Sequence, residues 1–208
     1  MTGRALIACE FSGAVRDAFL NLGYDAISCD TEPSETPGPH YQGDVRDILD
    51  DGFDMMIAFP PCRFLCYSGA RWWAGRQSEQ AAAIDFVHEL FAAPIPRMCV
   101  ENPHGIISRT RKWTQVIQPY MFGHGETKAT CLWLADLPPL QPTDPVAGRE
   151  ARIHRMGETK NRSRNRSRTY PGVAAAMAAQ WGALLGEPLP EPGLSPLSSS
   201  SSTTGCGR

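Results

Sequence analysis

The sequence predicts an α/β protein with a doubly wound, mostly parallel sheet, because short apolar runs alternate along it with segments of helical periodicity. The apolar runs lie at 5–9, 25–29, 53–59 and 98–100, and the helical segments at 15–22, 77–92 and 173–185. The runs lack the polar–apolar alternation of a half-exposed strand, so each should be buried on both faces. Such strands, alternating with helices, form a parallel sheet that carries helices on both sides.

The remaining elements follow from local signals. The first helical segment places Val15, Ala18, Phe19 and Leu22 on one face and ends at Gly23. Residues 31–42 are rich in Pro, Gly, Ser and Thr, which predicts a loop. Residues 112–120 are predicted as a helix and 127–134 as a further strand.

Length and composition indicate one folded domain with a tail. The chain has 208 residues, 42% of them hydrophobic, which is enough apolar material for a sizeable core. We expect residues 1–186 to form this domain. Residues 187–208 are rich in Pro, Gly and Ser, with a serine run at 198–202, and are predicted to be disordered.

Charge and cysteine usage narrow the class of protein. The net charge is −2, so any surface for nucleic acid must be a local feature. The seven cysteines are scattered without paired CxxC spacing, which argues against a disulfide framework and against a metal site. We expect reduced thiols and a cytosolic location. The first apolar run is too short for a signal peptide, and no stretch approaches a membrane span in length.

Polar or reactive residues follow each predicted strand. They are Glu10, Phe11, Ser12 and Gly13 after the first run, Asp30 after the second, Phe59, Pro60, Pro61 and Cys62 after the third, and Glu101 and Asn102 after the fourth. In a doubly wound sheet, ligands bind beyond the carboxyl ends of the strands. These residues are therefore expected to converge on one functional edge of the sheet.

Two of these residues have side chains suited to catalysis. Pro60 and Pro61 stiffen the turn and fix the direction of the Cys62 thiol, whereas Cys66 is close enough to be a rival nucleophile. Glu101 ends a strand that should be buried, and burial would raise its pKa so that it could donate a proton near neutral pH. A salt bridge from Glu101 to an arginine of residues 109–112 is the alternative.

The turn after the first strand and two aspartates could hold a ligand. Gly13 lets a ligand approach the backbone, and the helix start behind it is expected to offer free N–H groups. Asp30 stands where a carboxylate grips ribose hydroxyls in dinucleotide-binding sheets, or it is a turn residue. Asp44, beside Val45, either accepts a bond from an adenine amino group or caps the next turn.

The order and approximate spacing of these segments resemble the DNA cytosine-5 methyltransferases over residues 4–134. The segments that carry the resemblance are Phe11 to Gly13, Gly43 to Val45, Pro60 to Cys62 with Ser68, and Glu101 with Asn102. The resemblance implies the Rossmann-like fold of S-adenosylmethionine-dependent methyltransferases. It also implies transfer of a methyl group from S-adenosylmethionine to carbon 5 of cytosine.

The resemblance also implies roles for individual residues. Cys62 would attack carbon 6 of cytosine, Glu101 would protonate nitrogen 3, and Asn102 would help to hold the loop. S-adenosylmethionine would be bound by residues from four segments, namely Glu10, Phe11, Ser12, Gly13, Asp30, Asp44, Val45, Phe59 and Pro60. Ser68 would contact the substrate. Independently of the resemblance, Arg71 follows the Cys62 loop and could line a path to a base that is the substrate.

The chain departs from the family pattern at several positions. Val15 stands where the family has a second glycine, and Arg63 where it has a glutamine. A later strand carries a glutamine and two arginines in the family, and Lys128 is the one residue here that could contact a phosphate or base. Only residues 131–169 remain for target recognition, which fits a compact, phage-type version acting in a bacterial or phage-infected cytosol.

A basic segment could replace the absent recognition domain. Residues 149–168 contain eight basic residues, namely Arg149, Arg152, Arg155, Lys160, Arg162, Arg164, Arg166 and Arg168. Arg162, Arg164 and Arg166 are therefore predicted to contact DNA phosphates, with a solvated flexible loop as the alternative. Trp72 and Trp73 could line the path of a base.

Three other functions stay open at this point. The chain could methylate an amino group, on cytosine N4 or adenine N6, since those enzymes also place two prolines after the fourth strand. It could methylate carbon 5 of a free cytosine nucleotide. It could also be an inactive relative that binds DNA or a nucleotide, as Val15 and Arg63 would allow.

Overall fold

A computed structural model describes residues 3–152 and 162–189 of the chain. The strands of its sheet are β1 (Arg4–Ala8), β2 (Asp25–Asp30), β3 (His40–Gln42), β4 (Met55–Ala58), β5 (Arg97–Asn102), β6 (Gln115–Ile117) and β7 (Thr130–Ala135). The helices of the described part are α1 (Ala14–Asn21), α2 (Gln77–Ala92), α3 (Arg162–Ser167) and α4 (Pro171–Trp181). No helix of this part is long and apolar enough to cross a membrane.

The strands form a seven-stranded sheet in the order β3-β2-β1-β4-β5-β7-β6. Neighbours from β3 to β5 are parallel, whereas β7 runs antiparallel to both β5 and β6. The order steps outward from β1 in both directions, which is the doubly wound arrangement. The predicted fold class, an α/β protein with a doubly wound, mostly parallel sheet, is confirmed.

The core has two layers, one on each face of the sheet. Successive side chains of β1 point to opposite faces, so Ala5 and Ile7 join the layer under α1 and α4, whereas Leu6 and Ala8 join the layer under α2. Helix α4 contributes the fully buried Trp181 to the first layer. Both layers leave the carboxyl ends of the strands free for loops that carry polar residues.

Two predicted elements differ from the structure. Residues 112–120 are not a helix, because β6 occupies Gln115–Ile117 and a 3-10 turn follows at Pro119–Met121. The β-branched Val116 and Ile117 favour a strand, and Pro119 cannot continue a hydrogen-bonded helix. The predicted loop 31–42 ends in the short strand β3, which pairs with β2 through Ser28, Cys29 and Asp30.

The predictions for the end of helix α1 and for the start of the tail also differ from the structure. Leu22 is 53% exposed, because α1 ends at Asn21 and Leu22 caps it from outside the buried face. The predicted tail begins inside an ordered contact, since Arg97 Nη2 donates to the carbonyls of Glu187 and Pro188 at 2.7 and 3.1 Å. The serine run at 198–202 lies outside the described residues.

Candidate active site

The turn that carries Cys62 is fixed from a neighbouring strand. Asn102, at the end of β5, is 1% exposed and its Nδ2 donates to the carbonyl of Pro60 at 2.8 Å. The carbonyl of Cys62 then accepts the N–H groups of Leu65 and Cys66 at 3.0 and 2.9 Å. The Cys62 residue is solvent-exposed, in contrast to Cys29, Cys99 and Cys131. The hydrogen bond from Asn102 is the kind of contact that a loop-holding residue requires.

Glu101 lies on the strand next to the Cys62 turn. Strands β4 and β5 are parallel neighbours with Ala58 opposite Val100, so the chain after β4 and the end of β5 reach the same edge. Burial raises the pKa of the Glu101 carboxyl, while the nearby Lys128 charge and a hydrogen bond from Thr130 act in the lowering direction. A carboxyl in this position can keep its proton at a pH where an exposed one would be ionised.

The alternative salt bridge to residues 109–112 does not form in the structure. Arg109 Nε donates to the Tyr67 hydroxyl at 3.1 Å, and the Arg111 guanidinium lies 4.1 Å from the centre of the Phe91 ring. Lys128 is the cation that acts on Glu101. Because Lys128 precedes β7, the antiparallel strand beside β5 brings this charge to the site.

Lys128 is itself held in place by three groups. Its Nζ donates to the carbonyl of Arg166 at 2.9 Å and lies 5.9 Å from the centre of the Tyr170 ring. Its backbone N–H donates to Gln118 Oε1 at 3.0 Å. Beside it is a cavity of about 410 Å³, counting the space open to solvent. Lining residues of the cavity are Phe59, Glu101, Lys128, Thr130 and Tyr170.

The Cys62 thiol lies within electrostatic range of the same groups. Desolvation of the thiol by the surrounding protein is the largest cause that raises the Cys62 pKa, and the charges of Glu101 and Cys66 raise it further. The positive charges of Lys128 and Arg166 act to lower the Cys62 pKa. The rival Cys66 has its Sγ 3.1 Å from the hydroxyl of Ser68 and its backbone paired with Gly105. Both thiols therefore lie at this edge, and the charges of Lys128 and Arg166 act on Cys62.

The turn after β1 is organised by Glu10, and this corrects one expectation. Glu10 is 4% exposed, and its two carboxylate oxygens accept Val15 N at 2.7 Å and Arg16 N at 3.3 Å. Ser12 Oγ accepts Ala14 N at 3.3 Å. The prediction of free N–H groups at the start of α1 is wrong, because the positive end of a helix already attracts the Glu10 carboxylate.

Gly13 is required by packing as well as by conformation. Its φ of 74° is left-handed, and a Cβ would lie 2.2 Å from Thr36 Oγ1 and 2.5 Å from Arg16 Nη2. Phe11 is 8% exposed, and the Arg164 guanidinium lies 4.5 Å from the centre of its ring. The turn therefore contacts both the 31–39 loop and α3.

Asp30 and Asp44 both serve as local turn residues. Asp30 Oδ1 accepts Glu32 N at 2.9 Å, and Asp44 Oδ1 accepts Arg46 N at 3.0 Å, which caps the short 3-10 turn that begins at Val45. The Gly43 N–H donates to the carbonyl of Asp30 at 3.0 Å, so the two aspartates lie at the same edge of the sheet. Asp44 is exposed, whereas Asp30 is half-buried.

The proposed substrate contacts fall into two places. Ser68 and Arg71 belong to the 3-10 segment Tyr67–Trp72 that follows Cys62. Arg164 and Arg166 belong to α3, which packs against the turn after β1 through Arg164 and against Lys128 through the Arg166 carbonyl. The side chain of Arg162, and the residues Arg155 and Lys160, lie outside the described part.

The most buried cation in this region is Arg16, which the sequence analysis does not single out. Arg16 is 0% exposed, and its guanidinium donates to Asp17, to Ser28, and to backbone and hydroxyl oxygens of the 34–39 loop. The signal was an arginine on the apolar side of a helix, next to Val15. Thr130, 6% exposed beside Glu101, was likewise missed, although it opens the strand after Lys128.

The chain is similar to solved structures but matches no family model and no curated protein. A solved structure of a methyltransferase from Entamoeba histolytica, EhMeth, is similar with a TM-score of 0.44 and 10% sequence identity. The match covers 77% of this chain, which spans 62% of the length of that protein.

Proposed function

We propose that the protein transfers a methyl group from S-adenosylmethionine to carbon 5 of cytosine in DNA, through a covalent bond between Cys62 and carbon 6. The observation that carries this proposal is the meeting of Cys62, Glu101 and Lys128 from three separate strand ends. Their charges act on one another, although the residues are far apart in the sequence. This set supplies a nucleophile, an acid and a cation at one edge of the sheet.

The reaction explains why a thiol and a carboxyl are needed together. Carbon 5 of cytosine is a poor nucleophile, so a bond from Cys62 Sγ to carbon 6 must first push the ring electrons toward carbon 5. Nitrogen 3 takes a proton from Glu101 as that bond forms. After carbon 5 has taken the methyl group, its proton leaves to solvent, the carbon–sulfur bond breaks and the ring double bond returns. The proton on nitrogen 3 then returns to Glu101.

The charges at the site support this division of roles. An ionised Glu101 opposes thiolate formation at Cys62, so a protonated Glu101 removes a charge that raises the Cys62 pKa. Lys128 and Arg166 favour the thiolate in either case. The reactive form of the pair thus has its one proton on Glu101, where the proton is also needed for nitrogen 3.

The residues at the ends of β1 and β2 fit S-adenosylmethionine, which supplies an electrophilic methyl group bonded to sulfur. Asp30, half-buried at the end of β2, would accept hydrogen bonds from the ribose hydroxyls, and the exposed Asp44 beside it would accept one from the adenine amino group. The tightly capped turn of Phe11, Ser12 and Gly13 would flank the methionine part. Phe59 and Pro60, between this turn and Cys62, would line the path of the methyl group.

The test is mass spectrometry of DNA nucleosides from cells that express the chain. Wild type and Cys66→Ser are expected to produce 5-methylcytosine, whereas Cys62→Ser and Glu101→Gln are not. Cys66→Ser is the matched control, since it removes a thiol of the same loop. N4-methylcytosine or N6-methyladenine that persists in Cys62→Ser would replace this proposal with amino-group methylation.

A further inference from the structure

We infer that two loops beside Cys62 form a phosphate-binding surface for DNA, an inference that rests on the proposed function in taking DNA as the partner. The surface, called the loop lobe below, consists of residues 63–76, which follow Cys62, and residues 104–113, which follow Glu101 and Asn102. It is separate from the basic segment 149–168 that the sequence brings to attention.

The two loops of the loop lobe are built as one unit. Ile106 N donates to the carbonyl of Leu65 at 2.8 Å, and Tyr67 N donates to the carbonyl of His104 at 3.3 Å. Gly105 lies so close to the first loop that a Cβ there would stand 1.9 Å from the Leu65 carbonyl oxygen. The second loop is therefore fixed to the loop that carries Cys62.

Aromatic contacts make this unit a firm surface. The rings of Tyr67 and His104 lie 5.2 Å apart, and those of His104 and Trp113 lie 5.1 Å apart, both edge to face. Trp133 of β7 donates its Nε1 proton to the carbonyl of Arg111 at 2.8 Å, which ties the second loop to the sheet. A surface that is ordered in advance loses less conformational freedom when a partner binds.

The charge of the loop lobe is entirely positive. Its basic residues are Arg63, Arg71, Arg76, Arg109, Arg111 and Lys112, and it contains no Asp or Glu. All six of these residues are exposed. Within the described residues, no ion pair joins Arg109, Arg111 or Lys112 to a carboxylate. In a protein of net charge −2, this concentration is a local anion-binding feature.

A polyanion fits the loop lobe better than a single phosphate does. The basic residues are spread over two loops, and both loops start at the edge where Cys62 and Glu101 lie. Phosphates on either side of a flipped-out cytosine would meet these side chains while the base reaches the thiol. Contacts of this kind fix the register of DNA without reading its sequence.

The experiment measures binding of the full chain, with S-adenosylhomocysteine present, to a fluorescent duplex over a series of salt concentrations. Arg109→Gln and Lys112→Gln each remove one lobe charge, and Lys112→Gln leaves the Tyr67 contact of Arg109 intact. Arg4→Gln is the matched control, because it removes one exposed charge at the amino end of β1, on the opposite edge of the sheet.

Each lobe variant is expected to bind about 3- to 10-fold more weakly, with a salt slope smaller by about 1, and the control to bind like wild type. Lobe variants that match the control in affinity and slope would overturn the inference. Methylation is scored separately with the same proteins. If the lobe variants bind DNA more weakly but wild type does not methylate DNA, the proposed function alone is rejected. If wild type methylates DNA but the lobe variants bind as tightly as the control, the loop lobe alone is rejected.

Discussion

Two basic regions of the molecule differ in what balances their charge. In α3 and the residues around it, Arg164 pairs with Glu32 and Glu35, Arg168 pairs with Glu35, and Arg152 pairs with Glu126. The loop lobe has six basic residues in 24 positions, against eight in 20 for residues 149–168, but its sequence contains no carboxylate. In the denser run, Arg152, Arg164 and Arg168 are therefore engaged in ion pairs within the fold.

The difference teaches that a basic run has to be judged by its partners in the fold. Arg164 and Glu35 are 129 positions apart in the chain, so their pairing is invisible in the sequence. The ion pairs hold α3 where it contacts Phe11, in the turn after β1, and Lys128, beside Glu101. We infer a structural role for Arg164 and Arg168, and leave phosphate binding to the loop lobe.

The largest effect should come from the residue that holds in place the loop whose carboxylate pairs with α3. Arg16 fixes the 34–39 loop, which contains Glu35. Arg16→Ala is expected to lower the free energy of unfolding by about 3 kcal/mol, because it leaves the oxygens that surround a buried cation without donors. Urea unfolding measures the change. Arg4→Ala, which breaks an exposed pair with Asp25, should cost less than about 1 kcal/mol.

Equal losses in these two variants would contradict the view that the 34–39 loop depends on Arg16. The same Arg16→Ala protein should also show faster amide exchange in α3, because α3 is tied to Glu35. A loss of stability without any change in α3 would mean that its ion pairs do not depend on this loop.

An intermediate effect should follow when the carboxylates under α3 are neutralised. The double variant Glu32→Gln, Glu35→Gln frees Arg164 and Arg168, so affinity for DNA is expected to rise about 3- to 10-fold. Asp25→Asn is the control, since it removes an exposed carboxylate at the amino end of β2. Fluorescence anisotropy with one duplex at fixed salt measures both. A gain in the control as large as in the double variant would mean that only net charge matters.

The smallest effect is the pH dependence of the Glu35 pairs. The guanidinium of Arg168, followed by that of Arg164, lowers the pKa of Glu35 from 4.5 to about 2. A lowered folded-state pKa contributes stability that is present above pH 4.5 and is lost as the pH falls toward 2. The advantage of wild type over Glu35→Gln should be below about 1 kcal/mol, because these pairs are accessible to solvent.

Unfolding midpoints at pH 6 and pH 3 test this sign. The difference between wild type and Glu35→Gln is expected to shrink at pH 3, and also at high salt, which screens exposed pairs. A difference that grows at pH 3 would show that Glu35 is stabilised in its neutral form.

The sheet could be predicted from the sequence because its signals are local. Continuous apolar runs gave β1, β2, β4 and β5, and the periodicity of residues 77–92 gave the bounds of α2. The strands β3 and β6 are only three residues long, which is too short for a recognisable periodicity. Whether such a segment becomes a strand depends on the neighbouring strand with which it pairs. Pro119 lies just beyond β6, and its ring disfavours the helix that was predicted for residues 112–120.

The candidate site was predictable in its chemical groups but not in their partners. Cys62, Glu101 and Asn102 stand out because each lies at or soon after the end of a continuous apolar run. That Lys128 acts on Glu101, and that Glu10 occupies the N–H groups at the start of α1, depends on contacts between separate segments. Arg16 lies on the apolar side of α1, but the oxygens of the 34–39 loop that accept its hydrogen bonds cannot be identified from the sequence of α1.

The most direct test of the account is a covalent trap on cytosine that carries fluorine at carbon 5. Fluorine cannot leave as a proton does, so the carbon–sulfur bond at carbon 6 should persist after methyl transfer. A duplex with this base, incubated with S-adenosylmethionine, is expected to form a stable adduct that peptide mass spectrometry assigns to Cys62. Cys66→Ser should form it equally, and Cys62→Ser not at all. An adduct on Cys66, or one that survives in Cys62→Ser, would contradict the account.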